Sequence, residues 1–335
     1  MKRLTIISVL LIAFVQVNFA QKFPPLTNES ITEYKNKDFD EARSLIDQSV
    51  KSVEGKSHSY TWHLRGHIYR HFYNMGIDED LDNANREVAI KSFMKSIELD
   101  TEGTFKKANV DGLKPLTNSF WNEAVGVIHK REKANIHKAE LSLDRFLKIR
   151  RSIDEMESMN QYLIDFFKAY ASANRKLIEV ERKNGKDITS YQNEFDRVEK
   201  SYMKVLELNP DDYIANYNLS INLYNEAAYR IEKMPTDADL GEIMLTQSGA
   251  IKIFEKALPH ALKADNIRPG RVETVKALRA IYLALNNYEQ FDIYDQMVKK
   301  IKSDTGVMGS VNREKFEQMR NDRKNFGRIQ QSDDE

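Results

Sequence analysis

Two amphipathic helix patterns separated by a hard stop, between Ser201 and Tyr224, constrain this chain more than any other stretch of its 335 residues. Tyr202, Val205, Leu206 and Leu208 place apolar groups on one side of a helix. Asn209-Pro210 ends that helix, because proline disfavours helical geometry in the residue before it. Asp211 and Asp212 stand where a carboxylate accepts the free amide hydrogens of the next helix's first turn and meets the positive end of its dipole. Together these effects are worth about 1 kcal/mol. Ala215, Leu219 and Leu223 then fall on one face of the new helix. A chain that repeats this unit folds as stacked helix pairs.

The unit recurs, with insertions. Counting from Pro269 puts Leu278 and Tyr282 in a first helix and Tyr288 at the start of a second. Second-helix endings appear as Ala257, Ala261 and Ala264, as Ala89, Phe93 and Ser96, and as Ala139, Leu143 and Phe146. Near the front, Phe39-Asp40-Glu41-Ala42 with Ile46 opens another second helix, and Trp62, Gly66 and Tyr69 fit a first helix. Gly66 and Ala89 are expected to meet where two helices cross, a contact that a larger side chain would overpack by about 1 to 3 kcal/mol. These matches, above all Leu206-Glu207-Leu208-Asn209-Pro210 leading into spaced small and leucine positions, resemble the tetratricopeptide repeat (TPR) family in an exported bacterial form. The resemblance implies an all-α superhelical solenoid of antiparallel helix pairs over residues 34–303, with irregular long helices and insertions. It also implies a concave groove, lined by first helices, that holds a segment of another protein.

Along the chain, residues 1–20 read as a secretory signal peptide: Met1-Lys2-Arg3, an apolar run from Leu4 to Val17, and a small residue, Ala20, at the cut. Cleavage after Ala20 directs the protein to the periplasm, or outside the cell. Residues 21–33 are expected to be a linker and short helix, with a loop at 22–28 around Pro24-Pro25. Helices are expected at 29–35, 39–52, 62–73, 87–99, 116–129, 136–149, 156–181, 191–208, 213–233, 243–264 (kinked at Pro259), 272–285 and 288–301. Residues 75–85 and 234–240 read as insertions, and 101–114 as a loop carrying Gly103 and Gly112. A capping helix is expected within 304–329, at 312–326, before a disordered tail at 330–335.

Composition excludes more than it assigns. With no cysteine there is no disulfide, thiolate metal site or cysteine nucleophile. Lys plus Arg and Asp plus Glu balance at 51 each, so no global field draws in nucleic acid. No phosphate-binding glycine loop, nucleophile elbow or His-Glu-x-x-His zinc motif occurs, and neither an enzyme nor a cofactor is expected.

His63, His67 and His71 stand four apart on one helix, a spacing at which two imidazoles can share a metal ion. They read as polar groove residues, as partner contacts or as weak metal candidates, with no acidic ligand placed beside them. His129, Glu132, His137 and Glu140 read as a wet polar turn, and Tyr162, Phe166, Phe167 and Tyr170 as core. Asn216, Asn218, Asn222 and Asn225 line one helix; by the TPR resemblance Asn218 stands where an asparagine holds a bound peptide backbone. The basic residues that clamp a peptide's carboxyl end are not matched. The groove candidates are His63, His67, Arg70, Tyr217, Asn218, Ile221 and Lys276. The leading expectation is a non-enzymatic envelope scaffold binding a protein segment; the alternative is a small-molecule or glycan binder using the two insertions as a pocket.

Overall fold

Side-chain caps set the starts of several helices in the computed structural model, which describes residues 23–76 and 84–305. Among these residues are thirteen α-helices, one short 3-10 turn and no strand. The expected signal peptide, most of the first insertion, the helix at 312–326 and the tail lie outside the described residues. No described helix is long and apolar enough to cross a membrane. The chain divides between Ser119 and Phe120 into two units, each with its own internal packing.

The first unit begins with α1 (Pro25–Asn36), which starts at the proline expected to lie in a loop. Proline at the first helical position loses nothing, because its missing N–H would have no partner there. Helix α2 (Phe39–Ser49) is capped by Asp38, whose carboxylate accepts the Glu41 amide at 3.2 Å. A one-turn helix, α3 (Val53–Lys56), leads to α4 (Ser59–Met75), and α5 (Ala84–Leu99) follows the insertion. Helix α6 (Lys106–Lys130) corrects the reading of 101–114 as a loop. The Asp100 carboxylate accepts the Thr104 and Phe105 amides just ahead of it, and Pro115 lies inside it without ending it.

Neighbouring helices run antiparallel, because their partners step in opposite directions along the chain. Ser30 reaches the Ala42 carbonyl while Thr27 meets Ser49; Ser59 receives Ser96 while Arg65 meets Ser92. Ala42, Ile46, Leu64 and Ile68 form one apolar cluster. Phe93, fully buried, fills the next layer. Gly66 does make the close approach expected of it, but against this ring rather than Ala89: a Cβ there would sit 2.6 Å from Phe93, and one on Gly112 2.7 Å from the same ring.

In the second unit, the end of α6 packs on α7 (Lys138–Ile153) through Trp121 and Phe146, and α7 on α8 (Asn160–Lys183) through Phe146 and Tyr162. Then come α9 (Gln192–Leu208), α10 (Tyr213–Glu232), α11 (Leu240–Ile267), α12 (Val272–Ala284) and α13 (Tyr288–Thr305). Asp212 caps α10 as its position foretells, accepting the Ala215 amide at 2.9 Å. Helix α11 begins with a capping box between Asp239 and Glu242 and runs unbroken through Pro259. One large apolar cluster joins Tyr202, Val205, Leu219, Leu223, Leu278 and Ile281. Phe166 and Tyr170 are core, as expected. The fully buried Glu226 is held by Arg182 and Arg230.

Candidate protein-interaction face

Helix α4 buries two of its sides. Leu64 and Ile68 enter the apolar cluster, while Arg65 and Tyr69 bind the Asp47 carboxylate of α2 at 2.8 and 2.5 Å. The third side carries Tyr60, His63, His67 and Arg70, all half-exposed. Tyr34 of α1 lies within electrostatic reach of Arg70, and Phe105, in the turn ahead of α6, contacts the Tyr60 and His63 rings.

The position of His63 is set by a chain of hydrogen bonds. Ser96 Oγ donates to the Ser59 carbonyl at 2.9 Å, and Asn109 Nδ2 donates to Ser96 Oγ at 2.8 Å. The Asn109 oxygen is therefore left as acceptor for His63 Nδ1–H, at 2.8 Å. With the proton on Nδ1, the other ring nitrogen, Nε2, is an acceptor not used by this chain of bonds. The ring stacks on Phe105 at 5.2 Å, leans on Tyr60 at 5.5 Å and meets His67 edge-on at 4.5 Å. Phe23 extends the shelf by stacking on Tyr60 at 4.4 Å.

Burial holds His63 below the usual histidine range, with the Asn109 hydrogen bond and the Asp100 charge opposing and the Arg70 charge assisting. His67 is pushed well below that range by burial, and its protonation is further disfavoured by the neighbouring His63 ring and the Arg70 charge. Both rings are therefore neutral at neutral pH, and Arg70 is the cation of this face. Burial lowers the Arg70 guanidinium and raises the hydroxyls of Tyr34 and Tyr60. Arg70 makes no hydrogen bond or ion pair with any described residue; its electrostatic neighbours are Tyr34, His63 and His67.

His71 leaves this group. Its ring stacks on Phe39 of α2 at 3.8 Å, so the three histidines do not converge. Among the described residues no three His, Asp or Glu side chains gather as metal ligands, and Arg70 places a positive charge close to the remaining pair. His129 and His137 are exposed, as a wet turn requires, and Glu140 accepts the Tyr170 hydroxyl at 2.9 Å.

The remaining groove candidates belong to the second unit. Tyr217 stacks on Tyr213 at 6.0 Å, and the Asn218 carbonyl accepts from Arg175 of α8 at 2.8 Å. Ile221 and, on α12, Lys276 are half-buried. Tyr34, Tyr60, Phe105 and Asn109 were not singled out by sequence reasoning. The spacing of Asn109, Leu113, Leu116 and Phe120 is the helical signal for α6, interrupted to the eye by Gly112 and Pro115.

The chain is thus an all-α protein of successive antiparallel helix pairs. No family model matches it, and no curated protein matches it. Among solved structures it is similar to the nuclear import adaptor Nro1 of S. pombe, at 13% identity over 88% of this chain and 95% of that chain, with a TM-score of 0.34. It is also similar to the TPR2AB domain of yeast Sti1 in its pHSP90 complex, at 14% identity over 84% of this chain and 91% of that chain, with a TM-score of 0.24.

Proposed function

We propose that this protein is a non-enzymatic interaction scaffold of the bacterial cell envelope. On this reading it is exported through residues 1–20, cut after Ala20, and holds a segment of a partner protein along the third side of α4. The observation that carries the proposal is the set Tyr34, Tyr60, His63, His67, Arg70 and Phe105. Helices α1 and α4 and the turn ahead of α6 present these side chains half-exposed, with Tyr60, His63, His67 and Phe105 in ring contact and the Arg70 charge unmatched by any described residue. Aromatic and arginine side chains are the usual anchors of protein interfaces, since they combine large buried area with directed polar groups. Tyr217, Asn218, Ile221 and Lys276 offer a second patch of similar chemistry on the other unit.

Site-specific photocrosslinking in the native envelope tests this. A photoreactive residue in place of His67 is expected to trap a partner, while one in place of the exposed Glu41 on α2 is not. No adduct at position 67, or equal adducts at both positions, would contradict the assignment of this face.

A further inference from the structure

We infer that the segment held on α4 is extended and acidic, with one carboxylate on Arg70 and, about four residues away, an apolar side chain on the shelf of Tyr60 and Phe105. This rests on α4 being the partner-binding face. The acidic requirement comes from charge complementarity. Elsewhere in the first unit Arg43 pairs with Asp40 and Arg65 with Asp47. Arg70 has no such partner among the described residues. The carboxylate that acts on neighbouring His63 is Asp100, and its oxygens are occupied by the Thr104 and Phe105 amides. A half-buried guanidinium beside neutral imidazoles and phenols gains most from an incoming anion, because low local polarity strengthens the pair. A nucleic-acid backbone needs several cations in a row, whereas the described residues of this side of α4 offer one, Arg70.

The extended form follows from His63. Its Nε2 asks for a donor, and an extended backbone has free N–H groups where a helix has already used its own. Seven helical residues separate His63 from Arg70, about 10 Å, the span of about three extended residues. Tyr60 lies about 15 Å from Arg70 along the axis, which sets the second spacing.

Selection of a random displayed peptide library on the full chain, wild type against Arg70→Ala, tests the inference. Wild type should enrich peptides in which Asp or Glu stands about four positions from an aromatic or aliphatic residue. Arg70→Ala, shown folded by an unchanged thermal midpoint, should bind those peptides about tenfold or more weakly, the loss expected for one charge-assisted hydrogen bond. If alanine at this half-buried site unfolds the protein, Arg70→Met keeps the packing of the stem and removes only the charge. Peptides without an acidic residue that are lost in Tyr60→Ala would overturn the acidic segment while leaving the partner-binding face intact. Acidic peptides held equally by Arg70→Ala would also overturn it. No enrichment at all would overturn both.

Discussion

Phe93 sits between two glycines because a benzene ring fills the space that Cβ atoms on Gly66 and Gly112 would need. Gly66→Ala should therefore cost about 1 to 3 kcal/mol in urea unfolding, and less in a Phe93→Leu background, where the ring no longer blocks the methyl. Deleting the glycine's freedom without that ring would instead stabilise a helix interior, so the sign of the effect reports the contact. The neutral histidines make a second residue-level prediction. Burial holds the folded-state values of His63 and His67 below the ordinary value of 6.5, so the unfolded chain binds protons more readily. Their contribution to stability is fully present above 6.5 and is lost as pH falls from there through the depressed folded values. The thermal midpoint should drop on acidification through this window, and His67→Gln should flatten the drop. A midpoint that rises instead would show that the rings are charged in the folded state.

At the scale of elements, capping accounts for the starts of α2, α3, α10 and α11 and for one cross-helix tie. Asp212 both caps α10 and pairs with Lys168 of α8, whereas Asp239 caps α11 from an exposed position. Asp212→Ala should cost about 2 kcal/mol or more and Asp239→Ala about 1, read as the difference in urea midpoints. Helices with clean periodicity were legible in the sequence: α10, capped by Asp212, starts at Tyr213 as expected, and α12 and α13 start at Val272 and Tyr288. The first part of α6, residues 106–115, was not, because Gly112 and Pro115 resemble a loop locally while Asp100, five residues upstream of Phe105, supplies the cap from outside the pattern; the helix expected at 116–129 is the rest of α6. That miss hid two members of the candidate site. His63, His67 and Arg70 could be placed on one helix side by counting, but their companions Phe105 and Asn109 come from the stretch read as a loop, and Tyr34 comes from α1, whose packing against α4 no spacing within α4 reveals. Likewise, a four-residue spacing could not reveal that His71 turns to Phe39, since that depends on where α2 packs.

For the whole molecule, the repeated helix pair defines the fold class, and the chemistry of exposed side chains has to define the function. The proposed export has a direct consequence. Protein recovered from the envelope should begin at Gln21 by mass spectrometry, and a chain that retains Met1 there would contradict cleavage after Ala20. The central claim is that partner binding lies on the α4 face rather than in the packing of the helix pairs. It is tested most directly by titrating the partner trapped from position 67 into wild type and into a Tyr60→Ala, His67→Ala double variant, with thermal midpoints measured alongside. The expected result is a loss of affinity of about tenfold or more with the variant still folded, because each truncated anchor removes more than about 1 kcal/mol. Unchanged affinity, or a loss seen only where the variant unfolds, would contradict it.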